Sequence, residues 1–362
     1  MAPELRLRTG FEIELLAPQG MSRRTLADEI AARRDGVVRP VWHHDSEPSL
    51  VPGLGRFLHL TQGFEVLDAD GSLVCTLVDD ITIVADLDAR ATPMPGWYRV
   101  LTDDSRLSQL IATTADPAEP LEKSLRGVAR LWDAPVQQHG DYFKVDDASG
   151  ATIAIAAPLG GNRERPCEIV TPPLSSGHQS ALDDLLTVAR ELRFTVPTEA
   201  AVHMHYDGAT FRSAVILANV VRLFGWWREP LRELLQTNPA CVRLAPLPEP
   251  LVAAVDGHPS YEQLRDVAAS SGLSKFFDVN LTQLFAANPV RDTLEVRILP
   301  GAIDADEIVR QAQLVEAVLL RCQDPTPIPR PPAHQAHAVD LLREALEPGA
   351  GSSDAVSPPR NI

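Results

Sequence analysis

Residues 10–16 read GFEIELL. Phe11, Ile13 and Leu15 share one parity and Glu12 and Glu14 the other, which is the alternation of a β-strand with an apolar face and an acidic one. With Leu5 and Leu7 ahead of it, the pattern predicts a first strand over residues 4–17. On a strand the i, i+2 spacing sends both glutamates to the same side while the residues between them enter the core.

Working outward, three more strand-like stretches carry ionisable residues in this way. They are PCEIVTPP with Glu168, VHMHYDG with His203 and His205, and LEVRILPG with Glu295 and Arg297. A cavity lined by such strands could bind metal. Gathering several carboxylates without cations is costly, because neighbouring like charges raise one another's pKa. Hard divalent ions remove that cost, and carboxylate oxygens suit Mg²⁺ or Mn²⁺. Each motif alone has a plainer reading: E-x-E on a strand is more often a solvated face, H-x-H a core histidine bonded to backbone, and Glu295 with Arg297 a structural ion pair.

Between these stretches, residues 56–88 read as strands broken by turns, with Asp70-Gly71 in one turn, and DYFKVDDASGATIAIAAP as a hairpin turning near Gly150. Helical spacing marks residues 118–133, 179–194, 211–227, 259–271 and 304–322. Antiparallel hairpins mixed with helices make this an α+β chain. The globular part is expected to span residues 1–323. After it, PTPIPRPPAHQ and a Gly-, Ser- and Pro-rich end predict a mobile tail, 324–362, with one short helix at 334–347. Residues 17–55, including Trp42-His43-His44-Asp45, read either as pocket wall or as a surface excursion.

The charge balance of 33 basic against 49 acidic residues argues against nucleic acid or an anionic membrane as a general partner. Cys75, Cys167, Cys241 and Cys322 lack metal-knuckle spacing, and neither a signal peptide nor an 18-residue apolar run is visible, so a cytoplasmic protein is expected. No G-x-x-x-x-G-K-[ST] phosphate loop occurs, and no G-x-G-x-x-G bridges a strand and a helix.

Taken in order, GFEIE, ERPCEIVTPPL, VHMHYDG, KFFDVNL and DTLEVRILPG resemble the amidoligases of the carboxylate–amine ligase superfamily, relatives of glutamine synthetase and glutamate–cysteine ligase. The likeness runs from about residue 7 to residue 302. It implies a glutamine-synthetase-like curved antiparallel sheet with flanking helices, whose inner face holds Mg²⁺ (or Mn²⁺) ions bridging the phosphates of ATP. By the same resemblance Glu12, Glu14, Glu168 and Glu295 are metal ligands with His203 or His205, His203 being preferred. Arg297 faces the transferring phosphoryl group, so Arg297, Glu295 and Glu14 form the catalytic set. His205, Arg297, Arg212 and Asn280 approach the nucleotide or substrate, and Arg163 and Arg165 are looser candidates for phosphate or carboxylate contacts. The implied reaction activates a small-molecule or peptide carboxylate as an acyl phosphate, which an amine then attacks. A metal-dependent hydrolase that ignores ATP, and a non-catalytic peptide- or nucleotide-binding module on the same fold, are the rival readings.

Overall fold

Alternation at the amino terminus becomes strand β1 (Thr9–Leu16), shorter at both ends than the pattern suggested. The computed structural model describes residues 4–45, 58–102, 104–241, 244–289, 291–331 and 338–346. Eleven more strands follow: β2 (Val37–Asp45), β3 (Leu58–Leu67), β4 (Leu73–Val78), β5 (Tyr98–Thr102), β6 (Gln137–His139), β7 (Tyr142–Asp146), β8 (Thr152–Pro158), β9 (Pro166–Val170), β10 (Ala201–Asp207), β11 (Val279–Asn280) and β12 (Thr293–Pro300). They form one sheet in the order β11-β12-β10-β1-β9-β4-β3-β5-β8-β7-β6, with β2 on the other edge of β3. Neighbours pair antiparallel throughout. With its flanking helices this is the α+β architecture the hairpins implied.

β3 is the branching element. Its residues 64–67 pair with β4 and its residues 58–61 with β5, so two sets of strands leave the same edge in succession. The larger set packs its apolar face on the main core: Phe11, Ile13 and Leu15 of β1 lie beside Ile169, Val202, Met204, Val296 and Ile298, all essentially fully buried. Each such side chain contributes about 1.5–3 kcal/mol by leaving water. Helices His178–Glu191, Ala214–Trp226 and Ala305–Gln323 close this core. The last buries Ile308, Ala312, Val315 and Leu319 at helical spacing, starts on the side chain of Asp304, which accepts from Glu307 N, and carries acids in its first turn and Arg321 in its last. The smaller set buries Leu60, Tyr98, Val100, Val145 and Ala156 under helices Ser105–Thr114 and Arg126–Leu131.

Several expectations need correction. Residues 17–45 are no excursion: they hold helix Arg23–Arg33, opened by a Ser22 capping box, and then β2. Residues 46–57 lie outside the described residues. The helix expected over 118–133 is a 3₁₀ turn at Leu121–Lys123 followed by Arg126–Leu131, and that expected over 211–227 is a 3₁₀ turn at Ala209–Arg212 followed by Ala214–Trp226. The tail read as mobile begins docked. Ile328 is buried in the main core, Trp227 Nε1 donates to Pro329 O at 2.8 Å, and the Asn219 amide donates to the carbonyls of Asp324 and Thr326. Helix Ala338–Leu346 adds Leu342 to that core; residues 332–337 and 347–362 lie outside the description. Among the described residues no helix is long and apolar enough to cross a membrane.

Candidate active site

Antiparallel register brings the four sequence motifs side by side. Glu14 pairs with Glu168 across β1 and β9, Glu12 with His203 across β1 and β10, His205 with Glu295 across β10 and β12, and Glu295 with Asn280 across β12 and β11. Since paired residues share a face, these side chains form one row on the side of the sheet away from the main core. Between Val202↔Leu299 and Met204↔Val296, β12 carries two residues, Arg297 and Ile298, against the single His203 of β10. This bulge lets the strand end in consecutive buried residues while Arg297 stays on the acidic face.

His203 sits at the centre of the row. Its Nδ1 lies 3.4 Å from Glu12 Oε2 and 3.5 Å from Glu295 Oε1, and its Nε2 lies 3.5 Å from Glu14 Oε1. His205 Nε2 approaches Glu12 Oε1 at 3.1 Å but without hydrogen-bond alignment, so this buried nitrogen has no bonding partner. The ring is oriented from its other side, where Nδ1 stands 3.1 Å from Thr293 Oγ1. Glu295 is gripped twice: Arg297 NH1 donates to Oε1, and Asn280 Nδ2 donates to Oε2 at 2.8 Å. Glu14 Oε2 accepts from Ala201 N at 2.8 Å. Arg291, half in solvent, reaches over to Glu12 Oε1 at 2.7 Å.

Little water reaches these groups: Glu14, His203 and Glu295 are 4%, 5% and 6% exposed. Burial therefore works against every charge, and the partners decide the outcome. Burial opposes ionisation of Glu12, yet His205 and His203 more than offset it and hold this carboxyl well below the usual range. Burial is likewise outweighed at Glu295, by Arg297 and then His205. Burial lowers His205, but facing Glu12 raises it overall. At the other end of the row burial prevails: burial, followed by Asp80, drives Glu14 well above the ordinary carboxylate range despite the bond from Ala201 N, and burial, followed by Glu12, does the same to Glu168.

Glu12, His205 and Glu295 each bring one ligand atom within 4.8 Å of the others. Oxygen or nitrogen ligands at 2.0–2.6 Å from one ion stand no farther apart than about twice that distance, so this trio fits a divalent cation. His205 Nε2, buried, facing Glu12 and without a hydrogen-bond partner, is available as a ligand atom.

Above the row opens a cleft of about 590 Å³, lined by Glu12, Glu168, His205, Asn280 and Glu295 on its floor and by Trp42, His43 and His44 of β2 on its wall. A second cavity of about 660 Å³, with Leu73, Pro172 and Pro173 among its walls, shares Glu12, His205, Arg291 and Thr293 with the first. Two chambers thus meet over the acidic row. The stretch Trp42 to His44 is pocket wall after all, with the Trp42 indole pinned by Nε1 donating to Ala115 O at 2.8 Å.

Three arginines proposed from the sequence work elsewhere. Arg212 pairs with Asp292 at 2.6 Å and does not line the cleft. Arg163 binds the Asp79 carboxylate and the carbonyls of Asp80 and Ile83, and Arg165 donates to Ala17 O and Asp86 O. Conversely, Asp80, Lys275, Arg291 and Thr293 line the cleft and were not singled out. Asp80 was legible in part: Thr76, Val78 and Asp80 share a parity, and Val78 pairs with Glu168.

The family model described as "putative amidoligase enzyme" matches residues 5–319. The chain belongs to the amidoligase family. None of the curated proteins and none of the solved structures matches this amidoligase. The match begins just before β1 and ends in helix Ala305–Gln323, so all the strands of the acidic row fall inside it.

Proposed function

We propose that this amidoligase is an ATP-dependent carboxylate–amine ligase that forms an amide through an acyl phosphate, with Mg²⁺ or Mn²⁺ at the acidic row. The observation that carries this is the Glu12–His205–Glu295 trio with Arg297 bound to its outer acid. A bound divalent cation supplies charge neutralisation for nucleotide phosphates and for the phosphoryl group in flight. Glu12, His205 and Glu295 hold it, and Glu14 and Glu168 extend the ligand set along β1 and β9. His205 takes precedence over His203, whose two nitrogens are already shared among Glu12, Glu14 and Glu295.

Arg297 keeps its charge at any working pH; burial lowers its pKa, but Glu295 raises it overall. Its planar guanidinium suits the spread negative charge of a phosphoryl transfer. Asn280 and Thr293 keep Glu295 and His205 in their orientations. The two chambers suit a reaction with two substrates, a nucleotide and an acid or amine meeting over the row, and they hold the reacting groups close. A glutamine-synthetase-like curvature is supported by β2 and β11 lining one cleft, since the edges of a flat sheet seven strand spacings wide would stand about 34 Å apart. The need for ATP, and cysteines that are all free, fit work in the cytoplasm.

The test is ADP release by purified protein with Mg²⁺, ATP and pooled carboxylates and amines, with Glu14→Gln and Arg297→Ala as controls. Release that needs both a carboxylate and an amine and is lost in both variants supports a ligase. Hydrolysis of amides or esters with metal alone, indifferent to ATP, sinks it in favour of a hydrolase.

A further inference from the structure

The second chamber carries charges that the acidic row does not use. The ionisable side chains lining it are Arg8, Glu12, His205, Asp207, Arg291 and Asp292. Most are spent on a neighbour: Glu12 is held by Arg291 at 2.7 Å and faced by His205, and Asp292 pairs with Arg212 at 2.6 Å. Arg8 and Asp207 are left over. Among the described residues Arg8 makes no hydrogen bond or ion pair, and the Asp207 carboxylate accepts only the Ala209 N–H, at 2.9 Å on Oδ1.

Register sets these two side by side. β1 pairs with β10 from Ile13↔Val202 to Thr9↔Tyr206, and one more step puts Arg8 opposite Asp207. Both have the parity of Glu12 and His205, so they stand on the face of the acidic row. Opposite charges placed in this way stabilise a sheet by bridging, and these do not bridge. Between them and the row lies Gly10, where a methyl would come 3.6 Å from His205 Cβ and 3.8 Å from Thr171 O. The missing side chain leaves a trough, walled by Thr171, Pro172, Pro173 and Leu73, that runs from the unspent pair toward the Glu12–His205–Glu295 trio. At about 3.3 Å per residue, Asp207 stands about 7 Å from His205 along its strand and Arg8 about 13 Å from Glu12.

We propose that this end of the second chamber binds the zwitterionic head group of an amino acid, Arg8 taking its carboxylate and Asp207 its ammonium, with the side chain laid over Gly10 toward the acidic row. This rests on the row being the reacting centre, as proposed above. A guanidinium and a carboxylate held next to each other match the two charges on one α-carbon, and the planar fork of arginine grips a carboxylate with two parallel bonds. A lone anion would be repelled by Asp207, and a lone amine by Arg8. The separation then decides which end reacts. The α groups are anchors, and the acid or amine that enters the amide is carried by the side chain.

Calorimetric titration of the full chain, with Mn²⁺ present, tests this using L-aspartate, L-glutamate, L-ornithine and L-lysine, each beside its N-acetyl and α-methyl ester forms. The first two carry a side-chain acid and the last two a side-chain amine, so the panel also reads which of the two the site serves. At least one free amino acid should bind, and either block should weaken it by about tenfold or more, the low end for a hydrogen bond to a charged group. Arg8→Ala should weaken the free form by the same factor and leave the ester unchanged. Asp207→Asn should weaken the free form and leave the N-acetyl form unchanged, and Arg8→Lys, which keeps the charge, should recover part of the loss. A pair that merely stabilised the fold would not discriminate between free and blocked ligands. Failure of the whole panel to bind the parent protein, or equal affinity for free and blocked forms, overturns the site. ADP release that neither block alters also overturns it and leaves the ligase standing; head-group binding with no ADP release from any acid and amine removes the ligase and leaves the site.

Discussion

Affinity for divalent cations should climb with pH more steeply than at a site of ordinary carboxylates. Glu14 and Glu168 are held well above the usual range, burial being the first cause in both. A cation takes ionised ligands, so every one of these carboxyls that is still protonated must release its proton on binding. Each contributes about tenfold in affinity per pH unit, about 1.4 kcal/mol, until its own raised pKa is passed. With Glu14 and Glu168 both involved, the ceiling from these two is about two protons per binding event.

Stability carries the matching sign. In the window above the ordinary carboxylate range the folded chain binds protons at these positions that the unfolded chain has lost, so their contribution to stability falls as pH rises. A bound cation holds the ionised form, and the gap in Tm between Mn²⁺-loaded and cation-free protein should widen in the same window. Calorimetric titration with Mn²⁺ from about pH 5 to about pH 8, in two buffers of different ionisation enthalpy, reads the proton release directly. Equal heats in both buffers with an affinity flat in pH would refute the reasoning.

Four further outcomes can be measured separately. Arg297→Ala should lower ADP release by about 10²–10³-fold, as loss of one transition-state donor does, while the protein still binds Mn²⁺; unchanged turnover would exclude the guanidinium from the chemistry. Asn280→Ala removes the 2.8 Å bond to Glu295 and should cost about 1.5–3 kcal/mol in urea denaturation, the range for a hydrogen bond to a charged group. Arg291→Ala breaks an ion pair whose arginine is 57% exposed, so stability should move by less than about 1 kcal/mol. Because that arginine competes for Glu12, Mn²⁺ affinity should rise. Gly301→Ala would set a methyl 2.7 Å from Ala200 Cβ and from Val196 Cγ1, and thermal denaturation should show a loss of about 1–3 kcal/mol.

What could be read from the chain beforehand was what repeats with period two. Glu12 with Glu14 and His203 with His205 announce their face by spacing alone, and register then does the gathering that no single stretch reveals. Asp80 shares a parity with Thr76 and Val78 but lies past the end of its strand, and Arg291 and Lys275 carry no such rhythm. They sit in turns or irregular chain beyond strand ends, where direction comes from tertiary clamps such as Arg163. Asp79 and Asp80 are indistinguishable as text, yet Asp79 is paired with Arg163 and Arg23 while the Asp80 carboxylate is held by Thr82. Helix Arg23–Arg33 escaped notice because its charges run round most of its circumference, and Arg23 is wholly buried, its guanidinium spent on Gln62 O and Arg163 O and stacked on Trp97. Arg212 and Arg165 show the reverse error, since a basic residue near a motif was taken for a ligand contact when backbone carbonyls or an aspartate already occupied it.

The ten-residue span of β3 belongs to two buried interiors at once, with Phe64 and Val66 in one and Leu60 in the other. It works like a beam seated on two piers of unequal strength. On warming, the weaker pier around Val100 and Ile111 yields first, and Trp42 loses its seat on Tyr98 and Ala115 while the carboxylates stay in place. Catalytic output would then fade at temperatures where circular dichroism still reports most of the sheet, and Trp42 fluorescence would mark the onset.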